Sequence, residues 1–176
     1  QIPRPPALHG ELTYEVSVSE RQIVGEDIVS LTLRRDDGEP FPEWEPGSHI
    51  DVFLGEDEHG EPLVRQYSLW GAVEDRSAWR IGVLKDPATR GGSRRVHEQL
   101  LDGVKVRARG ARNHFHLEPA ESYVFVAGGI GITPILPMVR QAERDGTPWK
   151  LYYLARNRAR LALLDELAGL PAEKVV

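Results

Sequence analysis

The chain has 176 residues, of which 40% are hydrophobic and 28% charged, and its formal net charge is −5. This composition is ordinary for a soluble globular protein, and it gives no basic field for nucleic acid and no apolar run of the about 18 residues that span a membrane. Cysteine is absent, which excludes disulfides, thiolate catalysis and cysteine-ligated metal or iron–sulfur centres within these residues. We expect a cytoplasmic protein.

The first ten residues are rich in proline, with Pro3, Pro5 and Pro6 opposing regular structure. They do not have the basic and then apolar order of a secretory signal. We therefore predict a flexible lead-in over residues 1–10.

From about residue 12 to residue 109, short alternating runs are separated by turn sequences such as Asp36-Asp37-Gly38 and Leu101-Asp102-Gly103. Evenly spaced short strands predict a six-stranded antiparallel sheet, closed or nearly closed into a β-barrel. One helix, over residues 93–101, interrupts them. The predicted strands are residues 14–18, 28–33, 50–53, 64–69, 79–84 and 104–108.

The pattern changes after Pro119, where two apolar strands, residues 123–127 and 149–154, each precede a helical segment. Apolar strands that alternate with helices are typical of a parallel sheet with covered faces. The second helix is predicted over residues 158–167, and residues 174–176 resemble the start of a third strand. We predict a β-barrel domain over residues 11–117 and a parallel α/β nucleotide-binding domain over residues 118–176, which we expect to be incomplete.

The first motif is Arg65-Gln66-Tyr67-Ser68-Leu69. On a strand, Arg65 and Tyr67 share a face, so the cation could bind a flavin phosphate and the ring could cover the flavin, with Ser68 as a donor near atom N5. The alternative is an ordinary barrel strand with an exposed arginine and a core tyrosine.

The second motif is Arg90-Gly91-Gly92-Ser93, at the start of the predicted helix. Glycines allow a ligand to approach the backbone, and the free N–H groups of a helix start suit a phosphate, with Arg90 as its counter-charge. Ser93 is the predicted N-cap. A plain capped helix after a glycine turn explains the same residues.

The third motif is Gly128-Gly129-Ile130-Gly131-Ile132-Thr133-Pro134, between an apolar strand and a helix. Such a turn suits a pyrophosphate, and Thr133 is predicted to cap a helix that begins at Pro134. The motif lacks the third glycine of the usual dinucleotide fingerprint, so the flanking strand and helix support the prediction.

These motifs occur in the order found in the ferredoxin–NADP reductase superfamily, and the chain resembles its phthalate dioxygenase reductase and vanillate demethylase reductase branch. Two further stretches, residues 45–52 and 92–98, are similar to the same branch. The resemblance extends over roughly residues 12–170, which is nearly the whole chain.

The resemblance implies an FMN site and an NADH site. Arg65 and Ser93 would bind the FMN phosphate, Tyr67 would pack on the isoalloxazine, and Ser68 and Thr133 would be the catalytic residues at N5 and at the domain junction. Gly129 and Gly131 would face the pyrophosphate. The implied cofactor-binding residues are Arg65, Gln66, Tyr67, Ser68, Gly82, Val83, Leu84, Arg90, Gly91, Gly92, Ser93, Gly129, Gly131 and Thr133.

FMN is favoured over FAD because the helix start at Ser93 offers a seat to a terminal phosphate. The connection over residues 84–90 also contains no aromatic residue that could stack on an adenine. FAD stays the alternative.

Two departures from the family leave the electron acceptor and the nucleotide choice open. The branch normally carries a plant-type [2Fe–2S] domain, for which these residues hold no cysteine, and its later nucleotide-domain strands lie beyond residue 176. Arg156 and Arg158 could meet a 2′-phosphate, although the resemblance favours NADH. His114 and His116 could suggest a metal pair, but no third ligand follows at regular spacing, so we predict a loop and no metal site.

We therefore predict an NAD(P)H-dependent flavin oxidoreductase that passes electrons from NADH through FMN to a [2Fe–2S] centre or to an oxygenase or haem partner. One alternative is an FAD-dependent ferredoxin or flavohaemoglobin-type reductase. The other is a non-catalytic flavin-binding or docking module. Nothing in the sequence suggests a nucleic-acid or membrane partner.

Overall fold

The computed structural model describes residues 12–86 and 91–176, so the predicted lead-in and Arg90 lie outside the described residues. The first half forms one antiparallel sheet in the order β4-β3-β6-β1-β2-β5, which confirms the predicted fold class and the six predicted strands. The strands are β1 (Thr13–Gly25), β2 (Ile28–Arg35), β3 (Ser48–Glu56), β4 (Pro62–Ser68), β5 (Trp79–Leu84) and β6 (Lys105–Asn113).

The inner face of this sheet encloses an apolar core. Alternate residues such as Ile50 and Val52 on β3 are fully buried, as the period of two in their sequence predicts. Phe41 stacks on Trp79 with ring centroids 3.8 Å apart, and Tyr14 meets both rings edge-on. This packing fixes the start of β5 against the rest of the sheet.

The sheet is strongly curved, but it is not closed into a barrel along its length. Its edge strands, β4 and β5, meet at the single bridge Leu69–Ile81, next to which the Trp70 N–H donates to the Arg80 carbonyl at 3.0 Å. Helix α1 (Gly92–Gln99) contacts β3, β4 and β5. Of the two predicted forms, closed and nearly closed, the sheet has the nearly closed one, with a gap between β4 and β5.

The second half contains β7 (Tyr123–Gly128), α2 (Ile132–Arg144) and β8 (Trp149–Leu154), and the two strands are parallel. Along β8, alternate residues are buried and exposed, so one face packs on α2 while the other leaves side chains such as Tyr152 and Leu154 in solvent. Val175 forms a parallel bridge to Leu151, as the predicted start of a third strand requires.

The predicted helix over residues 158–167 is wrong as a continuous element. Instead, a 3₁₀ turn, Arg158–Arg160, is followed by extended residues and by the short α3 (Leu164–Leu167). The Ala162 N–H donates to the Tyr153 hydroxyl at 2.7 Å, so it is not available for a helical bond. A side chain distant in sequence therefore interrupts the helical pattern.

The two halves share a second apolar core. Ile28 and Trp70 from the first sheet are buried in the same cluster as α2, and Arg140 of α2 donates to the Trp70 carbonyl at 3.1 Å. The predicted domain boundary at residues 117–118 lies between β6 and β7 and stays a prediction. No described helix has the length and apolar character needed to cross a bilayer.

Candidate functional site

The register of β4 sorts the first motif onto two faces. Arg65 pairs with Val52 and Tyr67 pairs with Ile50, so both side chains lie on the inner side of the sheet. Gln66 and Ser68 point to the outer side. The two edge strands meet at the Leu69–Ile81 bridge, and the residues of β4 that precede Leu69 are not paired with β5. Arg65 and Tyr67 therefore flank the gap between the two strands.

The start of α1 lies directly beside Arg65. A Cβ atom added to Gly92 would lie 2.6 Å from the Arg65 Nε atom, so glycine is needed for this approach. Gly91, the N-cap, adopts a left-handed conformation with φ of 81°. Within the described residues, the Arg65 guanidinium makes one hydrogen bond, to the Val64 carbonyl at 2.8 Å. The remaining donors and the N–H groups of the helix start can therefore converge on an anion.

Ser93 is not the N-cap of α1, because the helix begins one residue earlier, at Gly92. The Ser93 hydroxyl accepts from the Asp86 N–H at 3.1 Å and lies 3.3 Å from the Asp86 carbonyl. It thereby connects the end of β5 to the first turn of α1. The predicted phosphate ligand Arg90 falls outside the described residues.

Strand β5 touches the second half at Gly82. A Cβ atom there would lie 2.9 Å from the Thr133 Cγ2 atom and 3.1 Å from the Ile130 Cδ1 atom. Val83 is buried and its carbonyl lies 2.9 Å from the His97 Nε2 atom, while Leu84 is half-buried. The residues predicted at the flavin edge and at the domain junction are therefore adjacent.

Thr133 does not cap a helix that begins at Pro134. Helix α2 begins at Ile132 after a 3₁₀ turn, Gly129–Gly131, and the buried Thr133 hydroxyl donates to the Ile130 carbonyl at 3.0 Å. The bond turns the hydroxyl back toward the glycine motif and leaves the methyl group against Gly82.

A cavity of about 700 Å³ lies at the carboxyl ends of β7 and β8, against the β1–β2 turn and the end of β5. Ligands of open α/β sheets bind at such strand ends. Gly129 lines it with a φ of 51°, whereas Gly131 lies one residue beyond the lining as the N-cap of α2. The lining residues from the glycine motif and β8 are Gly128, Gly129, Ile130, Leu154, Ala155 and Arg156.

The two arginines that line this cavity differ in whether their side chains already have partners. Arg160 pairs with Asp27 at 2.8 Å and with Glu26 at 3.5 Å, across the junction of the two halves. Arg156 makes no hydrogen bond or ion pair within the described part of the chain. Arg156 is therefore the lining arginine that a ligand could engage.

On the outer side of β4, Gln66 and Ser68 line a smaller cavity with His49, His114 and Phe115. The His49 and His114 rings lie 5.3 Å apart between centroids. Burial, together with the charges of Arg112 and His114, lowers the pKa of His49 below its ordinary value. On the inner side, burial raises the pKa of Tyr67 to about 12, so that its hydroxyl stays neutral.

The histidines do not form the pair that their spacing suggested. His114 lies by His49, whereas His116 lies 3.7 Å from Glu45. In residues 12–86 and 91–176, His, Asp and Glu side chains form no group of three that could hold a metal ion.

Sequence reasoning missed Asp51 and Tyr153. Asp51 is 2% exposed and receives hydrogen bonds from Arg109 and Arg112 at 2.5 to 3.0 Å, behind the strand that carries the first motif. The sequence feature that could have indicated Asp51 is a single acidic residue within an apolar strand. Tyr153 gave no signal, since its partners are backbone groups of residues 129 and 162.

The chemistry of these residues suits a flavin in the gap between β4 and β5. The glycine at residue 92 leaves room for Arg65 at the helix start, which suits a phosphate, and the half-buried Tyr67 supplies a flat face. The gap and the nucleotide cavity are separated by β5 and the glycine motif. A ring in the gap would therefore lie beside a nucleotide in the cavity.

No family model matches the chain. The vanillate O-demethylase oxidoreductase of a Pseudomonas species is 44% identical to it over 154 residues, which are 87% of this chain and 47% of that protein. The chain thus spans about half the length of the curated relatives it matches.

Two solved structures extend the likeness to the fold. An intact type IV self-sufficient cytochrome P450 monooxygenase superposes with a TM-score of 0.87 and 42% identity, over 99% of this chain and 23% of that one. Phthalate dioxygenase reductase superposes with a TM-score of 0.81 and 34% identity, over 95% of this chain and 51% of that one. The chain is therefore a homologue of vanillate O-demethylase oxidoreductase and phthalate dioxygenase reductase, and it has the ferredoxin reductase-like fold.

Proposed function

We propose that these residues bind FMN between β4 and β5 and form part of a reductase that carries electrons from NADH to a one-electron acceptor. The contact of Gly82 with Thr133 carries the proposal, because it brings the phosphate-binding gap and the nucleotide cavity to opposite sides of one strand. When bound, a flavin takes two electrons together from a nicotinamide and releases them singly.

The chain's own residues position the two ligands. Arg65 and the first N–H groups of α1 hold the phosphate, and Tyr67 orients the ring. Thr133 packs on Gly82 and sets the distance between ring and nicotinamide. Ser68, which was predicted as a donor near atom N5, has its side chain on the opposite face of β4 from Tyr67. The glycine motif receives the pyrophosphate.

The relatives support the class of acceptor. Phthalate dioxygenase reductase is described as transferring electrons from pyridine nucleotides to [2Fe–2S], and the P450 relative is a self-sufficient monooxygenase. We infer an iron–sulfur or haem acceptor in an oxygenase system. NADH is the proposed donor, since Arg160 is already paired with acidic residues, and of the two arginines considered for a 2′-phosphate, Arg156 lines the cavity and Arg158 does not.

The first test is the cofactor itself. The full-length protein should carry an absorbing flavin whose mass after release is that of FMN, and anaerobic NADH should bleach it faster than NADPH at the same concentration. An FAD mass would replace FMN in the proposal, and a flavin that stays yellow with NADH would indicate a docking module.

Replacing Arg65 tests the phosphate site. Arg65→Ala should weaken FMN binding about 10- to 100-fold, because a charge-assisted hydrogen bond contributes roughly 1.5 to 3 kcal/mol. The measurement is flavin fluorescence on titrating the flavin-free protein with FMN. Arg34→Ala, which removes an exposed arginine bonded to Ser77, is the control and should bind FMN normally. Full affinity in Arg65→Ala would refute the assignment.

A further inference from the structure

Tyr153 lies beneath the glycine motif with its hydroxyl surrounded by backbone groups. The hydroxyl lies 3.0 Å from the Gly129 carbonyl and 3.2 Å from the Ala162 carbonyl, and it accepts from the Ala162 N–H at 2.7 Å. The residue is 8% exposed. One buried hydroxyl therefore connects β8, the glycine motif and the segment that follows Arg160.

The contact with Gly129 sets the direction of one peptide group. Because a trans peptide is planar, its C=O and the following N–H point in opposite directions. The Gly129 carbonyl turns inward to Tyr153, so the Ile130 N–H turns toward the cavity that both residues line. This N–H belongs to the first turn of a helical segment, where donors have no intrahelical partner.

The Gly129 carbonyl is held within the 3₁₀ turn by the Ile132 N–H, and Tyr153 adds a bond from a buried side chain. The Gly129 φ of 51° lies in the left-handed region, which glycine enters readily but also leaves readily. A fixed hydrogen bond from a buried side chain restricts that freedom. Burial also raises the pKa of Tyr153 to about 12, so the hydroxyl keeps the proton that it donates.

The second contact reaches the other wall of the cavity. Ala162 is fully buried, and the bond from its N–H to the Tyr153 hydroxyl holds the chain just after Arg160, whose guanidinium pairs with Asp27. Tyr153 thus fixes the backbone on both sides of the nucleotide cavity.

We propose that Tyr153 is a positioning residue for nucleotide binding, which aims the Ile130 N–H at the pyrophosphate through the Gly129 carbonyl. The inference rests on the proposed function, because it assumes that the cavity takes a dinucleotide. Tyr153 touches neither the nucleotide nor the flavin; it acts through the peptide that it holds.

The test is Tyr153→Phe in the full-length protein, which removes the hydroxyl and keeps the ring. ADP-ribose binding, measured by calorimetry, should weaken about five- to tenfold, in line with the loss of one or two buried hydrogen bonds. In stopped-flow reduction, the NADH concentration at half-maximal rate should rise by a similar factor, while the limiting rate and the FMN content stay unchanged. A purely structural defect would lower the active fraction and leave the binding constant alone.

The chain offers a matched control in Tyr152, the preceding residue, which is 38% exposed on the opposite face of β8. Tyr152→Phe should bind ADP-ribose as the wild type does. Gly129→Ala perturbs the same peptide group in a second way. A Cβ atom at this position meets nothing within 4 Å, so the strain comes from the left-handed φ alone. This variant should weaken ADP-ribose binding without touching Tyr153.

The outcomes separate the inference from the proposed function. Wild-type affinity in Tyr153→Phe, or an equal loss in Tyr152→Phe, would overturn the inference while leaving the reductase proposal intact. A wild-type protein that binds FMN but no ADP-ribose would overturn both.

Discussion

Asp51 is a buried charged residue on β3, and its neighbours explain why the carboxyl is ionised. Burial alone would raise the pKa of its carboxyl. Hydrogen bonds from Arg109 and Gln66 and the charge of Arg112 outweigh that effect, so the pKa lies below its ordinary value. The carboxylate thereby joins β3, β4 and β6 behind Arg65 and Tyr67.

Asp51→Asn should lower the free energy of unfolding by about 2 to 3 kcal/mol at pH 7, because hydrogen bonds to a charged group are lost. Since the folded pKa lies below the unfolded one, the ionised carboxylate stabilises the fold above the unfolded pKa, and this contribution is lost as the pH falls through the folded pKa. Urea unfolding should therefore show a gap between the two proteins that closes below about pH 4.

The control for this variant is Glu43→Gln. Glu43 is 88% exposed and lies 3.8 Å from Arg76, and such surface pairs contribute about 0 to 1 kcal/mol. A gap between wild type and Asp51→Asn that is no larger than this control, or that persists at low pH, would show that the buried cluster is not stabilising.

Helix α1 connects fold and site at the scale of elements, because its first residue lies against Arg65. Gly92→Ala should weaken FMN binding about tenfold or more, since the added Cβ atom would displace the Arg65 side chain from the helix start. The helix should tolerate alanine, which is the better helix former. Fluorescence titration with FMN and thermal unfolding are the two measurements.

Gly38→Ala is the control for Gly92→Ala. It distinguishes an effect of displacing Arg65 from an effect of lower protein stability. Gly38 has a φ of 75° in an open turn, so alanine there costs about 1 kcal/mol without contacting any neighbour. This variant should lose stability and keep FMN, and Gly92→Ala should do the reverse. The same affinity loss in both would contradict the role given to Gly92.

Local patterns predicted the strands well, since burial on one face imposes a period of two that the sequence records directly. The family resemblance implied that Arg65 and Gly92 share a pocket, and the two residues are adjacent in the structure. The caps were predicted wrongly at Ser93 and Thr133 because each hydroxyl has a competing backbone partner, at Asp86 and at Ile130.

Features that depend on distant contacts could not be predicted. Residues 158–167 have helical periodicity, but the Tyr153 hydroxyl takes the Ala162 N–H and breaks the helix. A contact of this kind leaves no periodicity in the local sequence.

At the scale of the whole molecule, the two halves are joined by a common core rather than by a linker alone. Trp70 belongs by sequence to the first sheet, yet it is buried with α2, whose Arg140 binds its carbonyl. Large apolar contacts of this kind oppose independent domain motion. The distance between the β4–β5 gap and the cavity at the ends of β7 and β8 is thus set by packing.

Trp70→Ala should therefore loosen both halves together, at a cost of about 3 to 5 kcal/mol. Hydrogen exchange followed by mass spectrometry should show faster exchange in β2 and in α2. Trp44→Ala, in the core of the first sheet, should affect β2 much more than α2. If Trp70→Ala affected one half only, the two cores would be energetically separate.

The divergence of β4 from β5 also bears on how the protein avoids self-association. Sheet edges carry rows of unpaired amides that can template another chain. Here the two edge strands, β4 and β5, face one another across the gap, and α1 contacts both of them, so neither edge lies open along the surface. Incomplete closure of the sheet thus leaves room for a ligand without presenting a free strand edge to a second chain.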